Sequence, residues 1–237
     1  MDNWKQIWNK RKIEHGDDTL LSLIKLDGFD EGAGEISQVN WIEYVNWIRS
    51  KLAIDEADSI FEVGCGGGAF IYPFYKMGHK VAGIDYSSSL IINIQKAIPE
   101  MDFRCCEAIK LDVSNKFDIA ISNSVFQYFE SYEYAKTVIN QMVSKVKKKI
   151  AILDISDIDM KNDAEKLRKG ALGEEEYENK YSGLNHLFYD KTFFIDTAKQ
   201  LNCATEIFPQ NIEQYGNNPF RFNVIITKNL ILGPKND

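Results

Sequence analysis

The hydrophobic pattern divides the chain into two parts. In the first part, apolar side chains recur at the spacing of one helix face, over residues 2–14 and again between Trp41 and Leu52. A loop rich in glycine and acidic residues, Asp27 among them, separates these two predicted helices. We therefore expect residues 1–55 to form a helical N-terminal cap.

From residue 56 onward, short apolar runs alternate with helical patterns. The predicted strands cover residues 59–63, 80–84, 101–106, 117–121, 149–155, 204–208 and 220–227. Most of the first five are apolar throughout, which is typical of parallel strands covered by helices on both faces. The last two have no long helix between them, so they are expected to pair antiparallel. The prediction for residues 56–237 is an α/β, doubly wound, Rossmann-like sheet of seven strands, mostly parallel with an antiparallel C-terminal strand.

Three further features refine this division. A helix of about ten residues is expected after the first strand, ending at Gly78. The charged segment 156–190 is, at about 35 residues, too long for a simple loop. We expect it to form a lid insertion, together with the first predicted helix. His79, just before the second strand, is expected at the surface.

The amino-acid composition argues against several classes of binding partner. The 237 residues include 28 Lys and Arg against 35 Asp and Glu, a net charge of −7, which disfavours nucleic acid and anionic membrane surfaces. No apolar run reaches the roughly 18 residues of a membrane span, and the N-terminus lacks an apolar signal region. The four cysteines show no metal-ligand spacing, so no metal is expected. We expect a cytoplasmic monomer or homodimer with no nucleic-acid or membrane partner.

A glycine-rich turn follows the first predicted strand. Gly64, Gly66 and Gly68 permit a tight turn and close approach of a ligand to the backbone, at the start of a helix whose N–H groups are free. Asp85 follows 21 residues after Gly64, at the end of the second strand, where a carboxylate can accept hydrogen bonds from both ribose hydroxyls. This combination indicates a cofactor that contains adenosine.

Two cofactors fit these residues. Gly64, Gly66 and Ala69 satisfy the dinucleotide pattern G-x-G-x-x-G/A. S-adenosylmethionine is the alternative, because Glu62 stands two residues before the first glycine. A dehydrogenase would need a second catalytic element, and Tyr132-x-x-x-Lys136 has the required letters. It lies on a predicted surface helix, so we interpret it as a chance match.

Four segments resemble the motifs of class I S-adenosylmethionine-dependent methyltransferases, in the family's order and spacing. Residues 61–68 are similar to motif I and residues 83–87 to motif II. Residues 106–108 resemble the family's G-D-A segment, with Cys in place of Gly and Glu in place of Asp. Residues 117–128 resemble motif IV of the small-molecule branch. The resemblance is strong over 58–155 and extends more weakly to 228.

The resemblance implies how the cofactor is held. The backbone of Gly64, Cys65 and Gly66 would approach its methionine and ribose parts. Glu62 would help to hold the methionine ammonium, and Asp85 would bind the ribose hydroxyls.

The remaining cofactor contacts are expected from six other positions. Tyr86 would pack on the adenine, while Glu107 and the Ala108 N–H would meet its polar edge. Asn123 would lie by the methionine end. Trp8 and Arg11, on the first predicted helix, are expected to cover the bound cofactor.

Catalytic and acceptor-binding residues carry weaker signals. His186 is the best candidate for a general base, and Tyr189 is a second catalytic candidate. Residues expected to shape the acceptor site are Gln127, Tyr181, Tyr215 and Arg221.

The resulting prediction is an enzyme that transfers a methyl group from S-adenosyl-L-methionine to a small-molecule acceptor and leaves S-adenosyl-L-homocysteine. O- or N-methylation of a metabolite, or of a sugar or surface-glycan precursor, is expected. Two alternatives stay open at this point: an NAD-dependent oxidoreductase, and a non-catalytic protein that binds S-adenosylmethionine.

Overall fold

A computed structural model describes residues 2–11, 19–29, 35–173, 175, 177 and 182–229. Within these residues, seven strands form one sheet with the order β3-β2-β1-β4-β5-β7-β6. The strands are β1 Ile60–Val63, β2 Val81–Asp85, β3 Asp102–Cys105, β4 Phe117–Asn123, β5 Val146–Ser156, β6 Cys203–Pro209 and β7 Arg221–Lys228. The first five strands pair in parallel, and β7 is antiparallel to both of its neighbours. The predicted fold class is confirmed.

Helices cover both faces of the sheet. In the described parts of the chain they are α1 Asp2–Lys10, α2 Thr19–Leu26, α3 Gln38–Leu52, α4 Tyr72–Lys76, α5 Ser88–Ala97, α6 Tyr132–Lys145, α7 Lys161–Leu172 and α8 Lys191–Gln200. None of them combines the length and the apolar character needed to cross a bilayer.

The sheet separates two hydrophobic cores. One core joins helices α2 and α3 to the sheet through side chains such as Trp41 and Ile60. The other joins α6 and α8 to the opposite face through Phe61 and Phe194. The neighbours Ile60 and Phe61 point into different cores, as alternate strand residues must. This two-sided burial explains why β1 and β2 are apolar almost throughout.

Two predicted boundaries were wrong. The helix after the glycine turn has five residues, not about ten, because turns precede Pro73 at its start and Gly78, with a φ of 91°, follows its end. Strand β5 begins at Val146 rather than at 149. The lysines at the start of this strand interrupted the apolar pattern from which it was predicted. In the structure, the side chains of Lys147 and Lys148 extend to the carboxylates of Asp118 and Asp58, so charged residues can occupy strand positions here.

His79 is buried, so its predicted surface position was wrong. Its side chain is 2% exposed, and its Nδ1 lies 3.0 Å from the carbonyl oxygen of Asp58. The ring also packs at 5.8 Å from that of Phe74. A single hydrogen bond together with an aromatic neighbour is enough to bury an imidazole at the base of β2.

The two ends of segment 156–190 lie next to each other at the carboxyl end of β5. The Tyr189 N–H donates to the carbonyl of Ser156 over 2.8 Å, and the Ile158 N–H donates to the carbonyl of Tyr189 over 3.0 Å. The Leu187 N–H donates to the carbonyl of Gln127, just after β4. Both ends of the segment are therefore fixed beside the carboxyl ends of β4 and β5.

Candidate active site

A cleft opens at the carboxyl ends of β1, β2 and β4. Ten predicted cofactor residues line it: Trp8, Glu62, Gly64, Cys65, Gly66, Asp85, Tyr86, Glu107, Ala108 and Asn123. In an open parallel sheet, ligands bind at this edge, next to the strand where the connection order reverses. The neighbours of β1 in the sheet are β2 and β4, so β1 is that strand.

The glycine turn is held in a shape that other residues rarely adopt. Gly64 and Gly66 have φ values of 75° and 52°, in the left-handed region. A Cβ on Gly64 would lie only 2.4 Å from Cγ2 of Val125. The N–H groups of Gly64 and Cys65 donate to the carbonyl of Ile84 over 2.7 and 3.0 Å, which ties the turn to β2.

Asp85 closes β2 against this turn. Its Oδ2 accepts from the Gly66 N–H over 3.0 Å, and its Oδ1 accepts from the Ser87 N–H over 2.8 Å. Burial raises the pKa of Asp85 to about 6, against the opposing effect of these two hydrogen bonds. At neutral pH the side chain is therefore a carboxylate that can accept hydrogen bonds from hydroxyl groups in the cleft.

Asp27 also lines the cleft, and the sequence-based predictions missed its role. It follows α2, and its carboxylate accepts from the Gly67 N–H over 2.5 Å and from the Ala69 N–H over 2.9 Å. Burial raises the pKa of Asp27 to about 7, and the charge of Asp85 adds to the rise. No sequence motif links residues 27 and 67, so only the tertiary fold brings them together.

Glu62 is the third carboxylate of the cleft. It is 2% exposed, and its Oε2 has no hydrogen-bond partner among the described residues. Burial, followed by the negative charges of Asp27 and Asp85, raises its pKa well above the usual range. A buried acceptor of this kind calls for a donor from a bound ligand, ideally a cationic one.

The residues that follow β2 and β3 supply aromatic and polar groups to the cleft. Tyr86 is half-buried, and its hydroxyl is a buried group with no hydrogen-bond partner in the described structure. Glu107 lies 3.2 Å from Nζ of Lys110, and the Tyr134 hydroxyl accepts from the Ile109 N–H. These groups suit a flat heterocycle that carries its own donors and acceptors.

Four aromatic side chains that the sequence-based predictions did not assign to the site also line the cleft, and we refer to them together as the aromatic wall. It comprises Phe29, Trp41, Phe70 and Tyr128. Trp41 is fixed by a hydrogen bond from its Nε1 to the carbonyl of Ala69 and by ring contact with Phe29 at 4.5 Å. Its helical spacing indicated a core position, and it occupies both the core and the cleft.

Helix α1 covers part of the cleft. Trp8 lines it, and the rings of Trp4 and Trp8 lie 4.8 and 5.6 Å from that of Tyr128. Arg11 is placed differently from the prediction: its guanidinium donates to the carbonyl of Lys25 over 3.0 Å, at the end of α2. Arg11 is not among the described residues that line the cleft, and it lies over the Trp8 ring at 5.1 Å.

His186 lies behind Trp4, and it does not line the cleft. Its Nδ1 is 3.4 Å from Nη1 of Arg168, and a guanidinium can only donate. We therefore assign Nδ1 as the acceptor and the proton of the neutral ring to Nε2. Burial and the positive charges of Arg168 and Arg221 lower the pKa of His186 to about 3.

The other predicted catalytic and acceptor residues also lie outside the lining of the cleft, as far as the structure describes them. Tyr189 is fully buried, and its hydroxyl donates to the carbonyl of Phe126 over 2.8 Å. Gln127 donates to the carbonyl and hydroxyl oxygens of Ser124. Tyr181 lies outside the described residues.

Tyr215 and Arg221 belong to a buried polar network under the cleft. The Tyr215 hydroxyl donates to Oδ2 of Asp154 over 3.0 Å, and Nε of Arg221 lies 3.9 Å from Oδ1 of the same residue. Asp154 has a φ of 56° and interrupts the pairing of β5 with β7. Strained non-glycine residues often cluster near functional sites.

Comparison with known proteins shows which sequences and structures this chain resembles. The sequence profile described as "Methyltransferase domain" matches residues 61–167, which contain β1, the glycine turn and β4. A ubiquinone biosynthesis O-methyltransferase from Nitrobacter winogradskyi is 33% identical over 73 residues, covering 29% of this chain and 28% of that protein. The chain thus matches less than a third of the length of this curated relative.

Solved structures share the fold along nearly the whole chain. Magnesium protoporphyrin IX methyltransferase from Synechocystis PCC 6803, with bound S-adenosylhomocysteine, has a TM-score of 0.63 and 14% identity; the match covers 96% of this chain and 94% of that one. The plantazolicin methyltransferase BpumL, also with bound S-adenosylhomocysteine, has a TM-score of 0.63 and 15% identity, with 95% and 94% covered. The predicted resemblance to methyltransferases is borne out over residues 61–167, and the predicted fold is confirmed.

Proposed function

We propose that this chain, whose residues 61–167 match a methyltransferase-domain profile, is a class I S-adenosylmethionine-dependent methyltransferase that binds S-adenosylmethionine in the cleft and methylates a small molecule. The observation that carries the proposal is the meeting of Glu62, Asp85 and the glycine turn in that one cleft.

The residues present fit the cofactor. Asp85 is a carboxylate at neutral pH and can accept from both ribose hydroxyls, while Oε2 of Glu62 can accept from the methionine ammonium. Tyr86, Glu107 and the Ala108 N–H can contact the adenine. Of the predicted set, we now propose Arg11 as a residue that fixes Trp8 and α2 rather than as a direct ligand.

In the reaction, the role of the protein is mainly to bind the cofactor and the acceptor and to exclude water. Bound S-adenosylmethionine supplies an activated methyl group. The aromatic wall and Trp8 of α1 surround the space beside Asn123, where an acceptor can be held in line and shielded from solvent. Closeness and alignment of this kind are worth on the order of 7–11 kcal/mol in favourable cases.

The acceptor is, in this proposal, a small molecule with an aromatic or otherwise apolar portion. The wall of Phe29, Trp41, Phe70 and Tyr128 supports an apolar portion more than a bare sugar. The name of the Nitrobacter relative supports transfer to oxygen, although its matched segment is short. Transfer to nitrogen is the second possibility.

His186 is proposed here as a hydrogen-bonding residue and not as the general base of the earlier expectation. Its low pKa and the Arg168 donor at Nδ1 keep the ring neutral and make it a poor proton acceptor. The position of its ring, 4.8 Å from Trp4 and 5.6 Å from Tyr128, supports a role in fixing α1 over the cleft.

The domain division also enters as a proposal. Residues 1–55 form the cap, residues 56–237 form the methyltransferase domain, and the insertion 156–190 contributes to the lid with α1. Association as a monomer or homodimer, and a cytoplasmic location, belong to the same proposal.

Labelling of cell extract tests this function. Extract is incubated with the protein and S-adenosylmethionine carrying an isotopic methyl group, and mass spectrometry identifies labelled small molecules. A labelled product that disappears when excess S-adenosylhomocysteine is added supports the proposal. Cofactor binding without any labelled product favours the non-catalytic alternative.

A further inference from the structure

Three carboxylates meet in the cleft, and the family motifs account for Glu62 and Asp85. Asp27 reaches the cleft from the loop after α2 and lines it beside Glu62. Among the described residues, no lysine, arginine or histidine lines the cleft. The described lining of the cleft therefore holds acidic side chains and no basic one.

Four titratable or charged groups lie near the carboxylate of Asp27. Glu62 faces it from β1, Asp85 from β2, and the thiol of Cys65 from the glycine turn. Arg11, in the segment after α1, contributes a positive charge that acts on it and lowers its pKa. That guanidinium is engaged by backbone carbonyls at the end of α2.

Both Asp27 and Glu62 can accept further hydrogen bonds. Each oxygen of Asp27 accepts one backbone N–H, and a carboxylate oxygen has a second acceptor site. Glu62 is 98% buried, and its Oε2 has no hydrogen-bond partner within the described structure. This orphaned oxygen is an independent indication that a donor from a ligand belongs here.

We propose that Asp27 and Glu62 together form an ammonium-binding site for the amino-acid end of the cofactor. The inference rests on the proposed function and adds Asp27 to it as a binding residue. An ammonium group presents three donors and a positive charge, which matches two carboxyl groups that have free acceptor sites and that become better acceptors when ionised. In the described residues, no group of three or more His, Cys, Asp or Glu is arranged to hold a metal ion.

A comparison of two nucleoside ligands isolates the contribution of the amino-acid end to binding. S-adenosylhomocysteine carries the ammonium, and 5′-methylthioadenosine has the same nucleoside without the amino acid. In Asp27→Asn, calorimetry should show an affinity for S-adenosylhomocysteine that is lower by about tenfold or more, as expected for a lost charge-assisted hydrogen bond. The affinity for 5′-methylthioadenosine should change by less than about twofold on the same grounds.

Glu35→Gln is the matched control. Glu35 is an exposed acid of the cap region that pairs at 3.7 Å with Lys25, so the variant removes the same charge away from the cleft. It should leave both affinities unchanged. Equal losses for both ligands in Asp27→Asn would show that Asp27 only supports the glycine turn, and no loss for either would also overturn the proposal.

The wild-type protein offers a second test, which does not depend on how the variant folds. The ligand ammonium favours ionised Asp27, whose pKa is near 7 in the free protein. The preference for S-adenosylhomocysteine over 5′-methylthioadenosine should therefore rise between pH 5.5 and 7.5, by at most about tenfold per pH unit. A preference that is constant with pH overturns the inference. Failure of the wild type to bind either ligand contradicts the proposed function itself.

Discussion

The Tyr44 hydroxyl donates to Oδ1 of Asn123 over 2.9 Å and joins the cap helix α3 to the end of β4 at the cleft. The same hydroxyl accepts from Nε2 of Gln210 over 3.3 Å, and Gln210 in turn donates to Asp154. A chain of buried polar groups thus runs from the cleft to the end of β5. The position of Asn123 in the cleft depends on a residue of the cap.

Replacing Tyr44 with phenylalanine should destabilise the protein. Tyr44→Phe removes the donor to Oδ1 of Asn123 and one of the two acceptors of Gln210 Nε2, and a buried polar atom left without its partner costs about 1–3 kcal/mol. Denaturation with urea measures this change in the free energy of unfolding. Tyr75→Phe is the matched control, because the Tyr75 hydroxyl bonds to Glu100 in an exposed position, and it should change stability by less than about 0.5 kcal/mol. Similar losses in both variants would show that the buried network has no special role.

Asp85→Asn should weaken binding of S-adenosylhomocysteine by about 10- to 100-fold. The amide keeps the size of the side chain but loses the charge that strengthens hydrogen bonds from the ribose hydroxyls, a loss of about 1–3 kcal/mol. Calorimetric titration measures it. Asp102→Asn serves as the control. Asp102 lies on β3, the strand next to β2, where it is exposed and pairs with Arg104 of the same strand. An unchanged affinity in Asp85→Asn removes this residue from the cofactor site.

The buried carboxylates should make the free protein less stable as pH rises from about 4 to 7. The pKa values of Asp85 and Asp27 are raised to about 6 and about 7, so the folded state holds protons that the unfolded state has lost. The corresponding stability is present at low pH and disappears as the pH passes these values, by up to about 1.4 kcal/mol per pH unit for each group. Denaturation of the wild type and of Asp27→Asn at several pH values should give a shallower slope for the variant. Parallel slopes would contradict the raised pKa of Asp27.

His186 should stay neutral throughout the physiological range. Because its pKa is lowered to about 3, its ring proton resonances should not shift between pH 5 and 8 in a nuclear magnetic resonance titration. Comparison with His186→Gln identifies the resonances. A titration midpoint near 6.5 would contradict the contact with Arg168 and restore His186 as a candidate general base.

Local sequence was sufficient to predict the sheet and the family motifs. The residues of β1, the glycine turn and Asp85 are close together in the chain, and each has a steric or hydrogen-bonding reason for its position. Gly64, for example, must be glycine because Val125 leaves no space for a Cβ. Strand order then follows from the alternation of strands and helices.

The parts of the site that came from distant segments could not be predicted in the same way. Asp27 meets Gly67 across 40 residues, and Trp41 has the spacing of an ordinary core residue. His186 and Tyr189 have side chains suited to catalysis, but their hydrogen bonds to Arg168 and Phe126 become visible only in the folded chain. A residue type indicates a possible chemistry, and its partners decide whether that chemistry is available.

Calorimetric titration of the wild-type protein with S-adenosylhomocysteine and with NADH tests the proposed cofactor site most directly. Glu62, Asp85 and the glycine turn lead us to expect saturable binding of S-adenosylhomocysteine and no binding of NADH. Binding of NADH without binding of S-adenosylhomocysteine, or binding of neither, would contradict the assignment of the cleft.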